Sequence, residues 1–418
     1  MSFKHMLDHK QDVVLSSQGM NRLQRGSVWI PITGLLQKPA VISVGIVRLF
    51  SPRKQFVGEA LYDEKSPHTL RCLGVGLEPM CLTPSFFYDR LSSALKARRM
   101  LWGEQISFDT GAYRLVHGEA DGLPGLIIDI YARCAVVQLY NRFMNECLPD
   151  ILEALKRVLQ IEQIILRNDG SARQLDGLER FSSVFEGKSD TLVSFTIGKM
   201  TFKANVLTDR KTGFFLDQQA NYHRVSMLRK EFDFTTQPNA IDLFSYHGGF
   251  ALSLAKAGFL VEAGDLDATA VQRAKDNALQ NQLDIQFQVW DAFEKLRQLE
   301  SKGARYDLII LDPPALAKRA PSIKHTPSAI KTAYRAYKEI NLRAMRLLKP
   351  GGMLFTFSCS AGMTLELFEQ MLAEASLDAK RMMVRLERLG PGFDHPAYLA
   401  QMETDYLKGA LLRAVDIS

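Results

Sequence analysis

From Ala240 onward the chain repeats one rhythm: a short apolar run, a polar turn, a helical stretch, then another apolar run. The runs are Ala240 to Phe244, Leu260 to Gly264, Ile285 to Val289, Tyr306 to Leu311 and Met353 to Phe357. Strands that alternate with helices fold into a mostly parallel sheet with right-handed crossovers, because a parallel neighbour needs a long return path. In an open sheet of this kind, ligands gather outside the carboxyl ends of the strands. The chemistry is therefore expected just after each run.

Two of those positions carry reactive groups. Asp312-Pro313-Pro314 follows Leu308-Ile309-Ile310-Leu311, and Phe357-Ser358-Cys359-Ser360 follows Met353-Leu354-Phe355-Thr356. The paired prolines predict a stiff, non-helical loop. A carboxylate and a thiol at one rim suit carbon methylation of a pyrimidine base. Cytosine C5 is a weak nucleophile until a thiolate adds at C6, and Cys359 is the candidate for that attack. Asp312 is the candidate for holding the N3/N4 edge of the ring. The alternative for Cys359 is a small buried hydrophobe. Exocyclic amino methylases also use an acid or Asn before Pro-Pro, but an aromatic residue follows there, where this chain has Ala315.

Phe244-Ser245-Tyr246-His247-Gly248-Gly249-Phe250 closes the first run and opens a helix. Glycines allow a tight turn and close approach of a ligand, and a helix N-terminus offers unpaired N–H groups. The dinucleotide fingerprint G-x-G-x-x-G is absent. Asp265 ends the second run, where an acid can accept hydrogen bonds from both ribose hydroxyls. Asp291 ends the third, where it can accept from an adenine amino group. S-adenosylmethionine has a carboxylate, a ribose and an adenine but no phosphates, and it fits these features better than a dinucleotide does.

The 418 residues, 46% hydrophobic and 23% charged, predict a globular chain of two or three domains. No apolar stretch approaches the roughly 20 residues of a membrane span, and Met1-Ser2-Phe3-Lys4-His5 lacks the apolar region of a signal peptide. A cytoplasmic location is expected. Five cysteines, Cys72, Cys81, Cys134, Cys147 and Cys359, lack paired spacing, so neither a disulfide framework nor a metal site is indicated.

Residues 1–75 form the first expected domain, β-rich from residue 28 to 75, with ten Lys and Arg against five Asp and Glu in a chain of net charge +6. That balance suits an anionic polymer or a solubilising surface. Residues 76–108 are a linker whose helix runs from Ser85 to Trp102. Residues 109–195 are a small α+β module, in which Asp121 and Asp129 are expected at a turn and a strand end. Residues 196–418 are the catalytic domain. Within it, Lys318, Arg319, Lys324, Lys331, Arg335 and Lys338, interleaved with Tyr334 and Tyr337, suggest phosphate contacts beside a stacked base, or else a solvated helix face.

Residues 109–418, and more loosely the part before them, resemble the family of ribosomal RNA large subunit methyltransferase I, class I enzymes that make 5-methylcytidine. The strings that carry the resemblance are Gly118-Glu119-Ala120-Asp121-Gly122-Leu123-Pro124-Gly125, Lys211 to Gln218, Phe244 to Phe250, Asp312-Pro313-Pro314-Ala315, Tyr337 to Asn341, Phe357-Ser358-Cys359-Ser360, Asp394-His395-Pro396 and Tyr406-Leu407-Lys408-Gly409. The resemblance implies an N-terminal PUA-like RNA-binding domain, a central α+β module and a Rossmann-like α/β methyltransferase domain. It implies Cys359 as nucleophile with Asp312 beside the base. S-adenosyl-L-methionine is then held by Phe244, Ser245, Tyr246, Gly248, Asp265, Asp291, Ala292 and Gln218. For the RNA partner, 23S ribosomal RNA, the candidates are Lys211, Lys318, Lys331, Arg335 and Lys338. A homodimer is compatible with all of this. The chain departs from the family pattern at His247, where Thr is usual, at Gln219, where Arg is usual, and at Gly26-Ser27-Val28-Trp29, where His-Pro-Trp is usual. Two other readings stay open: methylation of another RNA atom such as a guanine nitrogen, and a non-catalytic RNA-binding assembly factor.

Overall fold

The computed structural model describes residues 2–73, 81–232, 237–316, 327–401 and 404–415. Contacts divide the chain into two units, one of Met1–Lys199, Ala204–Leu216 and Phe393–Thr404, the other of Met200–Lys203, Asp217–Gly392 and Asp405–Ser418.

The second unit is built on seven strands: β1 Asn239–Asp242, β2 Leu260–Asp265, β3 Gln286–Val289, β4 Tyr306–Leu311, β5 Leu348–Ser358, β6 Met383–Leu389 and β7 Lys408–Ala414. Their order in the sheet is 3-2-1-4-5-7-6. The first five are parallel, and β7 inserts antiparallel between β5 and β6. The helices are α1 Gln219–Glu231, α2 Gly249–Lys256, α3 Ala268–Gln280, α4 Ala292–Ser301, α5 Pro327–Leu347 and α6 Leu365–Asp378. Every residue of β4 is buried, as a central parallel strand covered on both faces requires. The expected runs are all there, with shifted ends: β1 stops at Asp242, and β5 begins at Leu348. The strands β6 and β7 were not expected. β6 follows α6 but mixes charged Arg385, Glu387 and Arg388 with its apolar residues, and β7 pairs antiparallel between β5 and β6, so the rhythm of apolar runs carries no sign of them.

The first unit includes two large sheets. One has six strands in the order Trp29–Ile30, Leu70–Cys72, Phe56–Asp63, Val44–Phe50, Gln11–Leu15 and Leu35–Gln37, around a core that includes Val13, Leu15, Val47 and Tyr62. The β-rich segment was expected from residue 28, but the strand Gln11–Leu15 lies inside the sheet, parallel to Val44–Phe50. The other sheet has five strands ordered Phe181–Glu186, Gln163–Asn168, Cys134–Leu139, Leu126–Tyr131 and Ala112–His117. The expected helix over 85–102 forms as Phe86–Trp102. Its Arg98 does not face solvent; the guanidinium is buried and forms a two-point ion pair with Asp121 at 2.8 and 2.6 Å.

Candidate active site

Gly248 takes φ +89° and caps α2, and a Cβ there would lie 2.6 Å from Leu252. A Cβ on Gly249 would overlap the ring of Tyr222 from α1, so the Gly-Gly pair is dictated by the turn and by the helix packed against it. Tyr246 stands at φ +45°, a left-handed conformation that costs a non-glycine residue about 1–2 kcal/mol. Two contacts hold it there: its N–H donates to Asp265 Oδ2 at 3.0 Å, and its ring stacks on His247 at 3.7 Å. Burial drives the His247 pKa down to about 3, helped by the charge of Arg273, so the imidazole is neutral.

Three carboxylates line this end of the sheet. Asp265 ends β2 half-buried, with Oδ1 accepting from Asp267 N–H at 3.1 Å. Asp312 follows β4, also half-buried. Asp242 ends β1, and sequence reasoning missed it because it hid inside the apolar run 240–244. It is fully buried, and neither of its oxygens has a hydrogen-bond partner in good geometry among the described residues. Burial pushes its pKa well above the usual carboxylate range; Asp312 and Asp265 add to the shift, and the amides of Phe244 and Ala251 offset part of it. Ser245 Oγ, on the turn that follows β1, is likewise buried without a partner among the described residues. Such a cluster repels polyphosphates and suits a ligand with positive charge. S-adenosylmethionine, with its ammonium and sulfonium, fits these residues.

The remaining cofactor candidates sit as follows. Asp291 lies past the end of β3 and is exposed; its Oδ1 caps α4, accepting from the N–H groups of Phe293 at 2.8 Å and Glu294 at 3.1 Å. Ala292 is buried as the first residue of that helix, and Phe244 is half-buried at the turn. Gln218 is buried just before α1, where Oε1 accepts from the Asn221 side chain at 2.6 Å.

The thiol and the Pro-Pro loop meet. Parallel pairing sets Leu311 beside Thr356, so the segments that leave β4 and β5 emerge at one rim. Cys359 Sγ lies 4.0 Å from the Pro313 carbonyl. Burial raises the thiols of Cys72 and Cys134 to about 12 and that of Cys147 further, whereas Cys359 is only half-buried.

The basic-aromatic cluster divides. Lys331 and Arg335 are exposed on α5, and Lys318 lies outside the described residues, as do Arg319 and Lys324. Lys338 is instead engaged by two carboxylates of α6, Glu374 at 3.1 Å and Asp378 at 2.9 Å. Tyr337 is no stacking platform: it is fully buried, and its hydroxyl meets Ser360 Oγ at 3.0 Å beneath the Cys359 turn. Tyr334 is half-buried, its pKa raised to about 12 by burial and Glu374. Lys211, in the first unit, is exposed with its ammonium 4.5 Å from the centre of the Phe215 ring.

A seven-stranded sheet in this order, with an acid-rimmed glycine turn after its first strand, defines a class I methyltransferase domain. The family model described as a methyltransferase domain matches residues 236–395. A solved structure from Streptococcus mutans, a candidate SAM-dependent methyltransferase, superposes at a TM-score of 0.75 over 96% of this chain and 99% of its own, with 18% identity. Ribosomal RNA large subunit methyltransferase I of Aeromonas salmonicida is 37% identical over 79% of this chain and 80% of its own length. Its namesake in Alteromonas mediterranea is 29% identical over 97% and 99%. The chain belongs to the ribosomal RNA large subunit methyltransferase I family.

Proposed function

We propose that this protein uses S-adenosyl-L-methionine to methylate C5 of a cytidine in large-subunit ribosomal RNA through a covalent bond between Cys359 and C6. The observation that carries the reading is the thiol of Cys359 against the Pro313 carbonyl of the Asp312-Pro313-Pro314 loop. The names of the relatives support the RNA class. When bound, the cofactor supplies an electrophilic methyl group on a sulfonium. Asp242, Ser245, Tyr246 and the Gly248-Gly249 turn hold it, with Asp265 on the ribose side. Asp291 and Ala292 stand at the adenine side, and Gln218 supports the turn through α1.

Cys359 adds as a thiolate to C6, and the electron pair of the C5–C6 double bond becomes available at C5. Asp312 holds the N3/N4 edge, and the two prolines keep its loop from relaxing away. C5 then takes the methyl group, whose bonding electrons stay on the cofactor sulfur; the C5 proton passes to water, and its electron pair re-forms the C5–C6 double bond as the Cys359 sulfur leaves with its own bonding pair. Lys331 and Arg335 are the phosphate contacts of the catalytic unit. The N-terminal sheet, with its excess of Lys and Arg, serves as a PUA-like RNA clamp, and Lys211 adds a further contact from the first unit.

Cys359→Ala is expected to abolish turnover while S-adenosylmethionine affinity stays near wild type. RNA with 5-fluorocytidine at the target becomes trapped on the wild-type protein, because fluorine cannot leave as a proton. Methylation that survives in Cys359→Ala, or a methyl group recovered on nitrogen, overturns the C5 mechanism.

A further inference from the structure

Lys408 opens β7, and the antiparallel register sets it opposite Ser358, next to the residue that carries the thiol. Lysine is seldom buried, yet this one is, and its ammonium donates to the carbonyls of Ser360 at 3.0 Å and Tyr406 at 2.8 Å. Those carbonyls fix the nitrogen at the Cys359 turn without bringing a full negative charge. Burial lowers the pKa of Lys408, while the negative forms of Cys359 and Asp405 pull it the other way. The loop after β4, which begins with Asp312, brings the Pro313 carbonyl to the thiol, and α5 brings Tyr337 to the neighbouring Ser360. The Tyr337 hydroxyl is itself discouraged from ionising by burial and, to a smaller extent, by Cys359. Of Lys408, Asp405, Asp312 and Tyr337, only Lys408 is a cation.

We propose that Lys408 is a positioning residue that keeps Cys359 in its thiolate form, an inference that rests on the attack of Cys359 on C6. The S–H bond breaks with both electrons left on sulfur, the proton passes to water, and Lys408 keeps its own protons. Held by two carbonyls, the ammonium offsets the charge that the sulfur gains on ionising. The charge disappears when the S–C6 bond forms. The same ammonium receives the thiolate again when the product is expelled, so Lys408 assists both the attack and the departure of sulfur.

The test is the alkylation of Cys359 by iodoacetamide against pH, read peptide by peptide in the intact protein without RNA. Exposed Cys81 serves as the internal control. Wild-type Cys359 is expected to reach half its maximal rate below the ordinary cysteine value of about 8.5. Lys408→Met should slow its alkylation at pH 7 by about ten-fold for each pH unit that the ionisation moves, and Lys408→Arg should keep most of the rate. Cys81 should react alike in all three proteins. A wild-type midpoint at or above the ordinary value overturns the proposal even if Lys408→Met does not fold. So does a Met variant with the wild-type profile, or an Arg variant as slow as Met, which marks a packing role. Failure of the C6 attack looks different: Cys359→Ala then still methylates RNA, while the alkylation profile continues to report the coupling between Lys408 and sulfur.

Discussion

Asp129 and Asp242 are both completely buried acids on strands, one in each unit, and their ionisation moves in opposite directions. At Asp129, burial presses the pKa upward, but the two-point pair with Arg114 at 2.8 and 2.9 Å outweighs it, with His395 and the Thr212 hydroxyl contributing, and the net shift is downward. Other buried acids of that unit also meet a guanidinium: Asp121 pairs with Arg98, Asp176 with Arg71, and Asp63 with Arg142. Asp242 has burial and two further carboxylates instead, and its pKa rises. A buried charge that meets its opposite within the fold is part of the scaffold. One that meets only its own sign points to a partner that arrives later.

The comparison can be broken most forcefully at Arg114. Arg114→Met leaves Asp129 buried without its two-point partner, and should lower stability in urea unfolding by about 3–5 kcal/mol. Asp242→Asn should cause no such loss, because it removes a carboxyl that burial already disfavours. It should instead weaken S-adenosylmethionine binding by about 1.5–3 kcal/mol in calorimetry. The sign of the pH effect follows. The raised pKa favours the protonated acid and a bound cation favours the carboxylate, so wild-type affinity should rise with pH across the range in which Asp242 ionises, and the Asn variant should lose that slope. A slope retained in Asp242→Asn would transfer the titration to another group.

The smallest effect concerns His247. Its imidazole takes up a proton near pH 6.5 when the chain unfolds but resists one until about 3 when folded, so its contribution is present above 6.5 and is lost as pH falls. Between pH 7 and 5 that amounts to about 2 kcal/mol, and His247→Thr should lose correspondingly less stability over that interval in urea titrations. Equal losses in the two proteins would place the acid sensitivity elsewhere.

The sheet was legible where burial writes a pattern. Tyr306–Leu311 is apolar enough to be a central strand, and the Gly-Gly turn and Asp265 follow from their places at strand ends. Asp242 was not legible, since four-residue β1 offers no contrast between a strand residue and a site residue. Lys338 and Tyr337 share the chemistry of an RNA-binding face, but their true surroundings come from α6, from Ser360 and from the core, and no local spacing encodes them. Lys408 stands 49 residues beyond Cys359, and only the inserted strand brings them together.

That insertion also dictates an order of events during synthesis. Among the described residues β6 has β7 as its only neighbour in the sheet, although β6 emerges first. Until β7 is made, β6 has no place to pair and the ladder of β5 stands open along one edge. One late segment therefore closes two gaps at once, and it carries the lysine that binds the Ser360 carbonyl. A nascent chain that lacks β7 is an unfinished scaffold with an exposed seam.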